Sequence, residues 1–290
     1  MKIFRFILSL ALAVASIGAV AQSEVRFFNE QADTARISEL LSQGASRKFA
    51  DNEARVAFFA RNFIGTPYVA HTLENDTEIL TVNIDQLDCT TFVETALALA
   101  YTSAENRKSW RDYIYNLRRF RYRNGTVDGY PSRLHYICDW AIDNMHRGNI
   151  SDATRFFPRI NYMVRTIDFM SNHRKSYPAL ADSANFARIK AIEDGYRNHR
   201  FPYIRTSDLG AKDTKTAFRN GDVVAFVSAL KDLDVTHMGI IVKENPSADP
   251  YVLHASQTGG KVEITKQTLA EFVKKNRQWI GVRVFRLADQ

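Results

Sequence analysis

Asp88-Cys89-Thr90-Thr91-Phe92-Val93-Glu94 places a cysteine at the opening of a run whose apolar residues, Phe92, Val93, Ala96, Leu97 and Ala100, recur at helical spacing. The pattern predicts a helix that begins at Asp88 or Cys89. The first turn of a helix carries backbone N–H groups without intrahelical partners and a positive partial charge. Both lower the pKa of a thiol placed there, and the same N–H groups can hold the oxyanion formed when a thiolate attacks a carbonyl. Position alone leaves a second reading open, a small residue packed into the first helical turn.

A cysteine nucleophile needs a base, and the base has to come from elsewhere in the chain. From Gly221 onward short β-type runs appear at residues 222–227, 238–242, 251–254, 262–264 and 281–285, separated by polar or Gly/Pro turns. Thr236-His237-Met238-Gly239-Ile240 puts a histidine at the start of one run, with His237, Gly239 and Ile241 on one face and the glycine leaving room for a close-packed helix. Tyr251-Val252-Leu253-His254-Ala255 puts a second histidine on the next run. In a hairpin of the two, His254 can bond one imidazole nitrogen of His237 and leave the other for Cys89. That is a nucleophile, base and orienting group, with histidine as the third member.

Upstream of the cysteine, residues 33–41 and 53–63 carry apolar positions at helical spacing, and Gly65-Thr66-Pro67-Tyr68 breaks the pattern. Residues from about 103 to 216 read as a mixed, largely helical insertion rich in Arg and Tyr, with turns at Asn124-Gly125 and Asp128-Gly129. Helices followed by a cluster of strands predict an α+β fold, with the cysteine helix packed on an antiparallel sheet. No repeat or linker divides the chain, so residues 22–290 read as one domain.

Residues 1–21 read as an export leader: Lys2 and Arg5, an apolar run, then Ala19-Val20-Ala21 as a cleavage signature. The expectation is a protein carried across the inner membrane to the periplasm, with no integral membrane association. Without Lys2 and Arg5 the formal charge falls from +7 to +5. That mild excess suits an anionic substrate, and neither a basic patch nor a motif points to nucleic acid. Cys138 is the second of the two cysteines and stands among Leu134, Ile137, Ala141 and Met145 at helical spacing, as a buried packing residue rather than half of a disulfide. Arg118, Arg119, Arg121 and Arg123 read as a basic surface stretch. No ligand pair suggests a metal, and nothing calls for a cofactor. Asp85, Asp88 and Glu94 raise the question of a glycosidase, but capping and solvation account for them.

Asp88-Cys89, Gly221-Asp222-Val223-Val224, His237-Met238-Gly239-Ile240 and His254-Ala255 together resemble, in that order, the NlpC-type superfamily of papain-like cell-wall amidases and peptidases. The resemblance covers roughly residues 65–100 and 219–287, and it implies a papain-like core with Cys89, His237 and His254 as the catalytic set. Two features depart from the common pattern. Thr90-Thr91 replace a Ser-Gly pair, and 148 positions separate Cys89 from His237.

Gly65-Thr66-Pro67-Tyr68-Val69-Ala70, Asp88 to Glu94, and Ser132-Arg133-Leu134-His135-Tyr136 followed by Trp140 resemble one branch, the N-acetylmuramoyl-L-alanine amidase-like proteins of Bacteroidetes-type bacteria. That branch implies cleavage between the lactyl group of N-acetylmuramic acid and L-alanine, in a soluble anhydro-muropeptide, by a monomer. Tyr68 is implied beside the nucleophile, as an oxyanion donor or substrate contact. Arg133 and His135 could meet peptide carboxylates or sugar hydroxyls, or could lie on a solvated helix face. Two other readings stay open, a peptidase of the same fold cutting the D-glutamyl to diamino-acid bond, and a catalytically idle cell-wall binding module.

Overall fold

The computed structural model describes residues 25–289, so the leader lies outside the described residues. The elements in chain order are β1 (Val25–Phe27), α1 (Glu30–Ala45), α2 (Asn52–Arg61), β2 (Leu80–Val82), α3 (Cys89–Ala104), α4 (Trp110–Arg121), α5 (Ile137–His146), β3 (Ile150–Asp152), β4 (Asn161–Arg165), α6 (Phe169–Asn172), α7 (Ser183–Asp194) and β5 (His199–Arg205). They continue with α8 (Lys212–Ala217), β6 (Val223–Ser228), β7 (Val235–Val242), β8 (Tyr251–Ser256), β9 (Lys261–Ile264), α9 (Leu269–Lys275) and β10 (Trp279–Leu287).

One antiparallel sheet runs β4-β5-β10-β6-β7-β8-β9, with β3 also paired to β10, while β1 and β2 form a small parallel pair. Helices and antiparallel strands therefore combine as the α+β pattern predicts. The five strands expected after Gly221 are all present. Residues 103–216 are less helical than expected, because β3, β4 and β5 lie within them and widen the sheet beyond β10. In β5 the sequence His199-Arg200-Phe201-Pro202-Tyr203-Ile204-Arg205 mixes charge and proline into the strand, which hides its period.

The sheet is covered on both faces, so its central strands are buried nearly throughout instead of alternating. Val223, Ala225, Met238, Ile240, Leu253 and Ala255 face the core that holds Phe92, Val93 and Ala96 of α3. Val224, Phe226, Ile241, Val252, Val282 and Val284 face the other side, under Leu269 and Val273 of α9. α3 is buried at every position from Thr91 to Thr102.

Two local devices hold α3 and β6 in place. Glu94 and Arg121 form an ion pair at 2.6 Å with each side chain only 3% exposed, and Arg121 also donates to the Thr81 carbonyl at 2.7 Å. This corrects two expectations. Arg121 is interior rather than on a basic surface, and Glu94 is paired rather than solvated, since a buried charge is tolerated only when its hydrogen bonds are met. Gly221 has φ +105°, and a Cβ there would lie 1.9 Å from the Glu53 carbonyl oxygen, so only glycine lets β6 start against α2. The next residue, Asp222, is fully buried and accepts from Arg286 of β10 at 2.7 Å and from the Arg219 N–H at 2.8 Å. Among the described residues no helix is long and apolar enough to cross a membrane.

Candidate active site

α3 begins at Cys89 itself. Asp88 is its N-cap: the Asp88 carboxylate accepts from the Thr91 N–H at 2.8 Å, and the Thr91 hydroxyl accepts from the Asp88 N–H at 2.9 Å. Thr91 thus closes a capping box, a job that explains a threonine at this position. Among the described residues the Cys89 N–H has no partner. The Cys89 sulfur faces the backbone N–H of Met238 and of Thr90, with the Thr90 hydroxyl 3.9 Å away. Met238 follows His237, so the sulfur sits one residue from the candidate base.

The expected low thiol pKa is not what the site gives. Burial first, and the Asp88 carboxylate second, push the Cys89 thiol up to about 11 against the pull of the Met238 and Thr90 N–H groups. The helix terminus does supply donors, but its cap is itself an anion beside the sulfur of a half-buried residue. Cys89 rests as a neutral thiol.

Strand β7 starts two residues before His237, and its pairing with β6 shifts there: Val235 and His237 oppose consecutive residues of β6, leaving Thr236 as an extra residue. Such a bulge re-aims the side chain that follows it. His237 turns toward β8, and its Nε2 lies 2.8 Å from His254 Nδ1 with the rings nearly perpendicular. One of these nitrogens has to donate. If it is Nε2 of His237, the lone pair is left on Nδ1.

Three aromatic rings wall the pair. Trp279 stacks on His237 with ring centres 5.7 Å apart and 11° between planes, Phe226 lies 5.3 Å from His237, and Phe272 lies 5.3 Å from His254. Trp279 is fixed by its Nε1–H, which donates to the Thr236 hydroxyl at 2.9 Å. Burial, and then the neighbouring His254, push His237 down to about 3. Burial also pushes His254 down to about 4, against the opposing carboxylate of Glu263. Both imidazoles are therefore neutral around pH 7. The aromatic wall was missed in the sequence, where Phe226, Phe272 and Trp279 stand far apart on β6, α9 and β10 with no shared period.

Gly239 does make room, though not for a helix. A Cβ at Gly239 would lie 2.6 Å from Val252 Cγ1 and 3.2 Å from His254 Cβ, so the missing side chain admits strand β8. α3 packs on the opposite face, where Met238 and Ile240 of β7 share its core.

Tyr68 lies near enough to Cys89 and Asp88 for their charges to act on its phenol. Its N–H donates to the Gly260 carbonyl at 2.9 Å, and its phenol is pushed up by burial and then by Cys89 and Asp88, so it keeps its proton. Arg133 and His135 are not brought to Cys89. Both precede α5 rather than riding a solvated helix face. Arg133 is 8% exposed and pairs with Glu74 at 2.9 Å and Glu78 at 3.3 Å, so its guanidinium is already engaged by carboxylates of the protein. The His135 Nε2–H donates to the Tyr130 carbonyl at 2.9 Å, and burial, followed by Arg133, pushes its imidazole down to about 3. Cys138 is fully buried and unbridged, as read from its helical spacing, with the Arg283 guanidinium donating to its sulfur at 3.3 Å. Among the described residues no group of His, Cys, Asp and Glu could hold a metal.

Residues 58–282 match the family described as AmiA-like, N-acetylmuramoyl-L-alanine amidase-like. Among solved structures, an N-acetylmuramoyl-L-alanine amidase from Bacteroides uniformis ATCC 8492 is 35% identical, with a TM-score of 0.76 over 81% of this chain and 98% of that one. A Bacteroides fragilis protein provisionally described as a xylanase is 36% identical, with a TM-score of 0.74 over 79% of this chain and 99% of that one. A Legionella pneumophila protein shares the fold at 20% identity and a TM-score of 0.68, over 89% of this chain and 95% of that one. No curated protein matches the chain.

Proposed function

This chain belongs to the AmiA-like, N-acetylmuramoyl-L-alanine amidase-like family, and from that premise we propose that it is an exported, papain-like cysteine amidase of the NlpC type. Its substrate is the amide between N-acetylmuramic acid and the L-alanine of the stem peptide, most simply in an anhydro-muropeptide released from the wall. The observation that carries the reading is the 2.8 Å His237–His254 bond on the strand whose next N–H, that of Met238, faces the Cys89 sulfur.

The resting thiol and imidazole are both neutral, so proton removal accompanies attack rather than preceding it. The Cys89 proton passes to His237 while the sulfur bonds to the lactyl carbonyl carbon. The carbonyl oxygen takes the negative charge, met by the unpartnered Cys89 N–H and the Tyr68 hydroxyl. His237, held by His254, then gives its proton to the alanine nitrogen as the C–N bond breaks. Water, deprotonated by the same imidazole, attacks the thioester; the lactyl carboxylate leaves and the thiol is restored.

The carboxylates near Cys89 do not favour sugar-bond hydrolysis, which needs two free acids across a cleft. Asp88 is spent on the helix cap, Glu94 on Arg121, and Asp85 on Arg36 at 2.8 Å. Digestion of an anhydro-muropeptide followed by mass spectrometry tests the reading. Free stem peptide is expected from the wild type and none from Cys89→Ala. An L-alanyl-D-glutamate product would replace the amidase with the peptidase, and unchanged turnover by Cys89→Ala would remove the nucleophile.

A further inference from the structure

Arg165 ends β4, the outer strand of the sheet on the side of the inserted segment, yet the residue is only 9% exposed. Burial pushes its guanidinium down from the usual range, against the pull of Asp234, and among the described residues no carboxylate bonds to it. Its hydrogen bonds go to backbone instead: Nη1 donates to the Ser228 carbonyl at 2.9 Å and to the Leu233 carbonyl at 2.6 Å. A buried guanidinium is costly, and here its charge-assisted bonds are spent on holding two carbonyls in one place.

Those carbonyls are the two shoulders of the hairpin between β6 and β7. Ser228 is the last residue of β6, and Leu233 stands two residues before the first of β7. Between them the Asp234 carbonyl accepts from the Ser228 N–H at 2.9 Å. The inserted segment meets the same hairpin twice more: the Asp168 N–H donates to the Asp232 carbonyl at 3.1 Å, and the Cys138 N–H donates to the Asp234 carboxylate. Of these three contacts, that of Arg165 is the one that grips both strands.

Both shoulders lead to the candidate base. Ser228 pairs with Trp279, whose ring stacks on His237 and whose Nε1–H donates to the Thr236 hydroxyl. Leu233 lies four residues before His237, and the β6–β7 register shifts on the way, at Thr236. At a bulge the ladder alone does not set where the following side chain aims, so the spacing of the shoulders is a second control on His237 and on its 2.8 Å contact with His254. We propose that Arg165 is a positioning residue for His237, and that the inserted segment serves turnover by fixing, through this guanidinium, the strand that carries the base.

The proposal rests on the amidase reading above, in which His237 moves the proton, so its test has one arm that needs no turnover. Imidazole nitrogen NMR, assigned with His237→Gln and His254→Gln, should show one fixed tautomer for each ring in the wild type and signals drawn toward the tautomer average in Arg165→Met. In the second arm, kcat on an anhydro-muropeptide should fall by about 10- to 100-fold in Arg165→Met with KM within about threefold of wild type. Arg165→Lys should regain part of the loss, since an ammonium can serve several carbonyls, as Lys243 Nζ does for those of Lys215, Phe218 and Pro246. Alkylation of Cys89 by iodoacetamide at about pH 10, where hydroxide rather than His237 takes the proton, should match wild type in each variant. Arg165→Gln, which keeps a donor but neither the charge nor the reach, takes the place of Arg165→Met should that chain not fold, with the same expected losses. Wild-type kcat, unmoved imidazole signals, a rise in KM alone, slowed alkylation at about pH 10, or an Arg165→Lys protein no better than Arg165→Met would each overturn the assignment. A wild type that leaves the muropeptide uncut, with averaged imidazole signals in Arg165→Met, would sink the amidase reading and leave the positioning role standing.

Discussion

Gly239→Ala perturbs the site through backbone spacing alone. The new Cβ would lie 2.6 Å from Val252 Cγ1, 3.0 Å from the Leu253 carbonyl oxygen and 3.2 Å from His254 Cβ. Apolar carbons in contact stand about 3.5–4.0 Å apart, so the nearest neighbour has to retreat by about 1 Å. β7 is held on its other side, where Gly239 pairs with Val224 of β6, so β8 is the strand that moves. His254 rides on β8, and its 2.8 Å bond to His237 would open past about 3.5 Å, where it ceases to be a hydrogen bond. Overpacking of this size costs about 1–3 kcal/mol of stability, and a misplacement of about 1 Å costs on the order of 100-fold in rate. Urea melts give the first number, and kcat/KM on an anhydro-muropeptide gives the second. Adding Val252→Ala removes the shortest contact and should return part of the stability, a coupling expected only of neighbours. A Gly239→Ala protein with wild-type midpoint and wild-type kcat/KM would refute the claim that this glycine sets the His237–His254 distance.

Other outcomes follow from the same contacts. Arg121→Met leaves Glu94 buried without its partner and should cost about 3–5 kcal/mol in a urea melt, whereas Glu94→Gln/Arg121→Met should cost less than the single change. Gly221→Ala meets both a positive φ and the Glu53 carbonyl oxygen, so a stable product with an unshifted melting temperature would contradict the close approach of β6 and α2. His237 and His254 have folded pKa values near 3 and 4, below the ordinary 6.5, so the unfolded chain takes up their protons first. Their contribution to stability is complete above pH 6.5 and is lost as pH falls from there toward 3; thermal melts of wild type and His254→Gln across that window should diverge from each other. For the same reason kcat/KM should be flat between pH 7 and 8, and alkylation of Cys89 by iodoacetamide should keep accelerating above pH 9, since the thiol is pushed up to about 11. An alkylation rate already at its plateau at pH 7 would show a resting thiolate instead.

The strands and helix of the candidate site were legible because each answers to a local rule. α3 declares itself through Phe92, Val93 and Ala96 and through the Asp88 cap, and strands β6 to β10 through apolar runs between turns. Gly221 and Gly239 were visible as glycines, but what each admits depends on long-range neighbours, Glu53 for one and Val252 with His254 for the other. The sign of the Cys89 shift was illegible for a related reason. A helix terminus predicts a lowered pKa from local geometry, while the desolvation that overrides it comes from the sheet on which α3 lies. Burial of Arg121 was equally hidden: its neighbours Arg118, Arg119 and Arg123 make the stretch read as solvent-facing, and only the partner Glu94, 27 residues away on α3, makes the interior position tolerable.

The same distinction explains the form of the candidate mechanism. A thiolate–imidazolium pair at rest would need two charges held in a site walled by Phe226, Phe272 and Trp279, with Asp88 opposing the anion. Burial penalises each charge, so the neutral thiol and neutral imidazole are the stable partners before substrate arrives. In the proposed attack the negative charge develops on the carbonyl oxygen, and among the described residues the Cys89 N–H and the Tyr68 hydroxyl have no other partner to draw them from it. In the proposed mechanism those donors act on the transition state and offer little to the resting thiol, so the helix terminus would lower the barrier to attack rather than the pKa of the nucleophile. Tyr68→Phe should then reduce kcat and kcat/KM together by about 10- to 1000-fold while leaving the pH dependence of Cys89 alkylation in place. A rise in KM alone would move Tyr68 from the oxyanion to ground-state binding.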